Sequence, residues 1–265
     1  MVLSGGDDIM IIKLDRSYHS QLIRYLKVEA DFNIFTLGDI DTYGYNSNFF
    51  NIWAQVDSLG HFRGILVKYY DTLIFYSRDK YNVFEFSNLI NELYYNEISG
   101  KEDTLQELEP YLDFSRKRVV NFSILNQIEM LRGYKDDINV KPIRFGKIRK
   151  VAKLYEAIDE FETQTIQSIK IGLKSGRGYC IEDKGQVVAM AKSTSENRTH
   201  AMIVGVATHP NYRNKGYATN CMVKLCKVLV KNGKRPCLFY DNEVAGSVYR
   251  NIGFTEIGKW SIYYK

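Results

Sequence analysis

Residues 213–218, with the sequence RNKGYA, have the composition of a phosphate-binding loop. Arg213 and Lys215 supply positive charge, and Gly216 lets a ligand approach the backbone closely. If a helix begins just after Gly216, its first backbone N–H groups have no partner in the chain. They then form an anion site at the positive end of the helix dipole. The segment therefore predicts that a phosphate or pyrophosphate binds to the backbone amides of residues 214–218.

The flanking sequence supplies the two elements that such a loop needs. An apolar run over residues 199–208, THAMIVGVAT, predicts a buried strand, and residues 209–214 predict a turn. Apolar side chains then recur on one face of a helix predicted over residues 217–231, and Gly233 is placed to end it. The loop is thus predicted to lie at a strand-to-helix junction.

A second group of spaced residues follows this helix. Residues 236–240 predict a short strand, and Asn242 is a strong N-cap for a helix over residues 243–251 that ends at Gly253. Three residues share one face of this helix: Asn242, Ala245 and Tyr249. Three apolar residues form the opposite stripe, which we expect to face the core: Val244, Val248 and Ile252.

Together these two groups resemble the acyl-CoA signature of GNAT-type N-acetyltransferases. Residues 213–218 have its RxxGxA form, and they lack the spacing of a Walker loop or of the dinucleotide-binding GxGxxG motif. Val206 and Thr208 resemble the end of the family's signature strand. The pattern N-x-x-A-x-x-x-Y-x-x-x-G-F, which starts at Asn242, is similar to the second half of the signature.

The resemblance implies acyl transfer from acetyl-CoA, with coenzyme A as the cofactor and no metal. Cofactor binding is expected at ten residues: Val206, Thr208, Arg213, Asn214, Lys215, Gly216, Tyr217, Ala218, Asn242 and Ala245. Asn242 is placed to touch the pantetheine arm. Tyr249 matches the tyrosine that protonates the leaving thiolate in the family, and a role in packing alone is the alternative.

The sequence does not identify the group that takes the proton of the attacking amine. Some relatives carry a carboxylate eleven residues before the first residue of the motif, where this chain has Met202, which is not a base. Glu196 and His200 are alternatives, directly or through water, although we expect each to be a solvated surface residue. A site that selects the neutral fraction of the amine is a third alternative.

The composition is that of a globular protein. Of the 265 residues, 45% are hydrophobic and 25% are charged, and no run of about 18 apolar residues predicts a membrane span. The first ten residues, MVLSGGDDIM, lack the basic and apolar regions of a secretory signal, and we expect ordered structure to begin at Met10. Four cysteines without metal-like spacing are expected to be core residues of a cytoplasmic protein: Cys180, Cys221, Cys226 and Cys237.

Charge is distributed unevenly within the net +5. Residues 1–140 carry 14 Lys and Arg against 21 Asp and Glu, whereas residues 141–265 carry 22 against 10. A basic half could bind nucleic acid, but its cations are spread over several elements and no nucleic-acid motif is present. The phosphates of coenzyme A are sufficient to account for the bias. We therefore expect neither a nucleic-acid partner nor a membrane partner.

The length and the charge asymmetry indicate two domains. The first, residues 10–135, is predicted to contain helices at 17–29, 83–97 and 104–112 and strands at 51–57, 63–70, 73–76 and 118–125. This order resembles a degenerate GNAT domain. The connection after Tyr76 contains no glycine and no RxxGxA, so we expect this domain to shape the structure or the substrate cleft without binding a pyrophosphate.

The second domain, residues 143–265, follows a polar segment at 133–142 that is the expected linker. Besides the elements above, it is predicted to contain helices at 143–160 and 163–173 and strands at 178–182, 186–193 and about 260–264. The order matches a complete GNAT domain. The expected fold is therefore α/β, with a mixed, mostly antiparallel sheet flanked by helices, in a tandem of a degenerate N-terminal domain and an intact C-terminal domain.

The expected function is transfer of an acetyl group from acetyl-CoA to a primary amine of a small molecule or a peptide. One alternative is an amino-acid N-acyltransferase of the glycine-conjugating type, since those enzymes also pair a divergent N-terminal domain with a GNAT-like C-terminal domain. The other is a non-catalytic module that senses acyl-CoA or binds a protein. The sequence indicates neither the acyl-chain length nor the oligomeric state.

Overall fold

The structure, a computed structural model, describes residues 10–159 and 165–265. It divides into two compact units, of which the first comprises the residues up to Asn121 together with Gly258–Lys265, and the second is Phe122–Ile257. The expected linker at residues 133–142 therefore belongs to the second unit. The expected leader before Met10 and two predicted helix ends, at Glu160 and Thr163, lie outside the described residues.

The helices and strands form two repeats, one after the other along the chain. The first repeat contains β1 (Met10–Lys13), α1 (His19–Lys27), α2 (Ile34–Tyr43), β2 (Phe50–Val56), β3 (Phe62–Tyr69), β4 (Thr72–Tyr76), α3 (Val83–Glu92), β5 (Glu97–Lys101), α4 (Glu102–Leu105) and β6 (Arg116–Leu125). The second contains β7 (Lys141–Pro142), α5 (Ile148–Glu156), α6 (Ile166–Lys174), β8 (Gly178–Asp183), β9 (Gln186–Thr194), β10 (His200–Thr208), α7 (Tyr217–Lys231), β11 (Arg235–Tyr240), α8 (Glu243–Ile252) and β12 (Phe254–Tyr264).

Both repeats have the order β-α-α-β-β-β-α-β-α-β, which confirms the expected tandem α/β fold. The strand order is β1-β2-β3-β4-β5-β12 in the first unit and β6-β11-β10-β9-β8-β7 in the second. Neighbours within these sheets are mostly antiparallel, with parallel pairs at β4–β5 and β10–β11. The unit boundaries fall inside β6 and β12, so the last strand of each repeat extends into the other unit.

Three elements of the first unit were not predicted: β1, α2 and β5. Helix α2 lies in a segment to which no helix or strand was assigned, and the side chain of its N-cap residue does not cap its first turn. The amide of Asn33, the residue before α2, instead donates to the carbonyl oxygens of Leu26 and Glu29, both at 3.1 Å. Asparagine is a preferred N-cap residue, but here its side chain does not cap the helix. The helix predicted over residues 83–97 ends earlier, at Glu92, and its last residue belongs to strand β5. Strand β5 needs Gly100, because a Cβ there would lie 2.5 Å from the carbonyl oxygen of Phe75 on β4.

The sheet of the second unit carries one hydrophobic cluster with α7 and α8 and another with α5 and α6. Adjacent residues of β8 divide between them: Ile181 belongs to the α7–α8 cluster and Cys180 to the α5–α6 cluster, as expected of opposite faces of a strand. All four cysteines are buried and in no disulfide bond, which confirms their expected place in the core. Within the described part of the chain, no helix is both long enough and apolar enough to span a membrane.

Candidate functional site

The predicted junction of strand, turn and helix is present in the second unit. Strand β10 ends at Thr208, a short 3-10 turn follows, and α7 begins at Tyr217. Asn214 and Gly216 both have left-handed backbones, with φ of +63° and +71°. Gly216 is the N-cap of α7, and no side chain of the described residues caps this end. The loop therefore presents free backbone N–H groups of the kind that form anion-binding concavities.

The surroundings of this loop leave it open to a ligand. Arg213, Asn214, Lys215 and Gly216 are exposed. A Cβ placed on Gly216 would have no heavy atom of the described residues within 4 Å, so the space above the backbone is empty of protein. The Nζ of Lys215 lies 5.1 Å from the ring centroid of Tyr212, which keeps its charge beside the loop. These features fit a polyanion such as the pyrophosphate of coenzyme A.

Strands β10 and β11 separate next to this loop. Their parallel pairing runs from His200 opposite Arg235 to Ile203 opposite Leu238. Beyond Ile203, the described residues show no further pair, although β10 continues to Thr208. The sheet is therefore open on this side of the second half of β10.

A bulge lies on the other side of β10, at the point where its pairing with β11 ends. The register with β9 shifts between Val204 and Ala207, and Gly205 there has a φ of +60°. Residues 204–206 are partly exposed, although residues 201–203 just before them are buried. Because a bulge leaves a residue outside the ladder, backbone groups of Gly205 and Val206 are free to pair with a ligand.

Gly205 is required at the bulge for two reasons. Its left-handed backbone is costly for other residues, and a Cβ there would collide with the hydroxyl of Tyr155. The Cε of Lys192 would lie 3.2 Å from the same Cβ. Neither Tyr155 nor Lys192 was among the predicted site residues, although an isolated glycine in an apolar strand is a recognised signal of a bulge.

Helix α8 has the two caps that the sequence predicts. The side-chain oxygen of Asn242 accepts hydrogen bonds from the backbone N–H of Val244 at 2.9 Å and of Ala245 at 3.4 Å. Gly253 ends the helix in the left-handed conformation, with a φ of 111°. Since Asn242 uses its oxygen for capping, its amide N–H₂ is the group that remains for a ligand.

The prediction that Val244 faces the core is wrong, since its side chain is 78% exposed. Val248 is only partly buried, and the buried positions of α8 are Gly246, Tyr249 and Ile252. Gly246 explains why this face of α8, and not the predicted one, is turned toward the core. A Cβ there would collide with the ring of Tyr240, so the helix packs closely along its glycine.

Tyr249 is buried between aromatic rings in the α7–α8 cluster. Its ring centroid lies 5.7 Å from that of Tyr240 and 6.2 Å from that of Phe254. Burial raises the pKa of Tyr249 to about 12, so the phenol keeps its proton at neutral pH. This environment fits both a group that donates a proton and a packing aromatic.

A family model of GNAT acetyltransferases matches residues 87–263. The chain belongs to the GNAT acetyltransferase family. Its membership supports an acyltransferase enzyme, and acyl-CoA is the general donor of this family.

Solved GNAT structures share the fold over more than nine-tenths of the chain. A GCN5-related N-acetyltransferase from Sphaerobacter thermophilus has a TM-score of 0.67 and 11% identity, with 98% of this chain and 96% of that chain covered. A tandem GNAT protein from the clavulanic acid biosynthesis pathway has a TM-score of 0.61 and 10% identity, with 97% and 98% covered. A GCN5-related N-acetyltransferase-like protein from Streptococcus suis 89/1591 has a TM-score of 0.55 and 18% identity, with 92% and 100% covered.

Within this GNAT unit, Glu196 is not the solvated residue that the sequence suggests. Its side chain is 6% exposed, and Arg177 donates to both carboxylate oxygens, at 2.9 and 2.8 Å. Ser193 Oγ donates at 2.6 Å, and the Nζ of Lys234 lies 3.2 Å away. Although burial alone would raise it, these contacts hold the pKa of Glu196 below its usual value. The carboxylate is therefore a poor proton acceptor.

The other positions considered for a base are also buried. His200 is 6% exposed, which corrects the expectation of a surface residue, and its Nδ1 lies 2.8 Å from Thr199 Oγ1. Met202 is 2% exposed and pairs with Cys237 on β11. The strand position that carries a carboxylate in some relatives is thus filled here by a core thioether.

Proposed function

We propose that the second unit of this GNAT protein transfers an acetyl group from acetyl-CoA to a primary amine. The observation that carries the proposal is the uncapped start of α7 at Gly216, directly beside the opening between β10 and β11. A ligand with a pyrophosphate at one end and an extended amide-bearing arm at the other fits both features. Coenzyme A has this chemistry.

The residues that would hold the cofactor fall into two groups. Six lie at the anion site before and within the first turn of α7: Arg213, Asn214, Lys215, Gly216, Tyr217 and Ala218. Four lie along the opening and at the start of α8: Val206, Thr208, Asn242 and Ala245. Backbone groups of Val206 and Thr208 can pair with the amides of the arm, and the side-chain amide of Asn242 can donate to it.

The protein groups have separate tasks in the proposed reaction. Bound acetyl-CoA supplies an activated thioester, and the acceptor amine must lose a proton to attack it. Tyr249 holds a proton at its hydroxyl, which it would give to the sulfur as the C–N bond forms and the C–S bond breaks. The nitrogen carries one proton too many after the neutral amine has attacked, and that proton would return the tyrosine to its neutral form. With Met202 apolar and Glu196 engaged by Arg177, we infer that the site selects the neutral fraction of the amine.

The first unit does not repeat the anion site. Its corresponding helix, α3, has Asn82 as N-cap, whose side-chain oxygen accepts from the N–H groups of Phe84 at 3.1 Å and Glu85 at 3.4 Å. Glu85 adds a negative charge to the first turn. Both features oppose a pyrophosphate, so we infer that this unit shapes the protein without binding coenzyme A.

The test is turnover of acetyl-CoA by the full chain with a panel of amines. We expect release of the free thiol together with an N-acetylated product detected by mass spectrometry. Binding of coenzyme A without product from any amine would favour the non-catalytic sensing module. If coenzyme A does not bind in calorimetry, the proposal is wrong.

A further inference from the structure

Lys192 is a buried lysine for which the described residues provide no carboxylate partner. It lies on β9, is 8% exposed, and its Nζ is 5.7 Å from the ring centroid of Tyr155. Burial lowers the pKa of Lys192 from its usual value, because an ammonium is poorly solvated in the protein interior. The face of an aromatic ring favours the charged form but does not neutralise it.

Other part-buried lysines of the same unit are paired. The Nζ of Lys147 lies 2.8 Å from a carboxylate oxygen of Glu182, and that of Lys234 lies 3.2 Å from Glu196. Lys192 therefore differs from these lysines because no carboxylate of the described residues pairs with it. An unpaired buried charge is costly, and such groups are found at functional sites more often than elsewhere.

Two glycines pack closely against the head of Lys192. A Cβ on Gly172 of α6 would lie 3.5 Å from its Nζ, and a Cβ on Gly205 of β10 would lie 3.2 Å from its Cε. Two elements thus approach the end of this side chain with no side chain of their own. Backbone of α6 and of β10 therefore lies close to the ammonium, and neither glycine offers it a counter-ion.

The head of Lys192 lies beside the bulge of β10. Lys192 is the register partner of Val204, the last paired residue before the bulge at Gly205. Its side chain extends among Tyr155 and Gly172, which belong to α5 and α6. Tyr249 packs in the other cluster, with α7 and α8. An acceptor that enters from the α5–α6 face would therefore meet Lys192 on its way to the bulge, opposite the face that carries Tyr249.

We infer that Lys192 binds a carboxylate of the acceptor, so that the substrate class is amines that carry a carboxylate, such as amino acids. The inference rests on the proposed function, because it identifies the acceptor of that reaction. An acceptor carboxylate would supply the counter-ion that the described residues do not. An analogue without it would leave the ammonium buried and unpaired, which is the basis of strong discrimination.

The first experiment compares acceptors that differ only in the carboxylate: glycine with glycinamide, and L-lysine with cadaverine. Each pair is assayed with acetyl-CoA at equal concentrations of the unprotonated amine. We expect kcat/KM for the carboxylate to exceed that for its partner by about 10–100-fold. Lys192→Met should bring this ratio near one by slowing only the carboxylate acceptor, and Lys192→Arg should restore part of it.

Lys147→Met is the matched control, because it removes an ammonium that already has the partner Glu182. It should leave the ratio unchanged. The inference is wrong if the wild type shows no preference, or if Lys192→Met slows both members of a pair equally, as loss of a proton acceptor or of structure would do.

A binding measurement separates this inference from the proposed function. N-acetylglycine should raise the melting temperature of the wild type more than N-acetylglycinamide does, and Lys192→Met should remove the difference. This arm needs no turnover, so it tests the carboxylate site even if no amine is acetylated. Equal shifts with both compounds in the wild type would overturn the inference while leaving acetyl transfer intact.

Discussion

Asn82 and Gly216 occupy the same position in the two repeats, but Asn82 caps the start of its helix and Gly216 does not. Each is the N-cap of the helix that follows the fourth strand of its repeat. Asn82 accepts hydrogen bonds from two N–H groups of α3, whereas Gly216 has no side chain and leaves those of α7 free. The N-cap residue alone, asparagine or glycine, thus decides whether the first N–H groups of the helix are satisfied or remain available to an anion.

The first prediction is that one coenzyme A binds per chain. The start of α3 is satisfied by Asn82 and carries the negative charge of Glu85, so the only uncapped start among these two corresponding helices is that of α7. Isothermal titration calorimetry of the full chain should give a stoichiometry of one. A stoichiometry of two would show that the first unit also binds the cofactor.

The second prediction is that Gly216→Glu abolishes binding of coenzyme A while the fold is retained. The new side chain would enter open space above the loop, where its negative charge and bulk compete with the pyrophosphate. The left-handed backbone should cost about 1–2 kcal/mol of stability. Calorimetry measures the binding, and thermal unfolding measures the stability.

Gly233→Glu is the control for this change. Gly233 has a φ of +72°, has no heavy atom of the described residues within 4 Å of an added Cβ, and lies just past the other end of α7. It should lose similar stability and keep normal affinity. Equal loss of affinity in both variants would contradict a phosphate site at Gly216.

The third prediction concerns Glu196, whose role we infer to be structural. Glu196→Gln removes the charge that holds Arg177 and Lys234, and should cost about 1–3 kcal/mol, less than for a fully buried pair because Arg177 is one-third exposed. The rate of acetyl transfer should keep its pH dependence. Glu182→Gln, at a carboxylate 28% exposed between two lysines, should cost less.

The pH dependence of this stability has a defined sign. The pKa of Glu196 is lowered in the folded protein, so its contribution is complete above the ordinary glutamate pKa of about 4.3 and is lost as the pH falls through the folded value. The melting temperatures of wild type and Glu196→Gln should therefore converge in acid. If Glu196→Gln instead keeps its stability and loses an ionisation from the rate profile, Glu196 is the base.

The elements around the site could be predicted because their signals are local. Helix α7 has the predicted bounds, and Asn242 and Gly253 cap α8 as expected, since an N-cap side chain and a left-handed glycine act on their own turn of backbone. Strand β10 was predicted to within one residue from its apolar run. Sequence patterns of this kind need no knowledge of distant partners.

The remaining features depend on packing between distant segments. Val244 is exposed because α8 packs along Gly246 against Tyr240, which the apolar spacing of the helix does not encode. The contact of Tyr155 with Gly205 joins α5 to β10 across about fifty residues of sequence. The partner of a charged side chain is likewise set by the tertiary fold. Neither the pairing of Glu196 nor the lack of a carboxylate beside Lys192 among the described residues could therefore be predicted.

The last prediction is that Tyr249→Phe slows acetyl transfer without unfolding the protein. The change removes one hydroxyl and keeps the ring between Tyr240 and Phe254. If Tyr249 protonates the leaving thiolate, kcat should fall by about 10²–10⁴-fold, the usual contribution of a general acid. Affinity for acetyl-CoA should hardly change, because the loop amides and Asn242 are intact.

The pKa of Tyr249 and the variant Tyr249→Ala help to distinguish a general acid from a residue that only packs. Because the pKa of Tyr249 is about 12, its ionisation should not lower the wild-type rate as the pH rises to 10. Tyr249→Ala should lose about 3–5 kcal/mol of stability in either case, since it empties an aromatic site in the core. A near-normal kcat for Tyr249→Phe, measured where chemistry limits the rate, would exclude the acid role and leave the ring with packing alone.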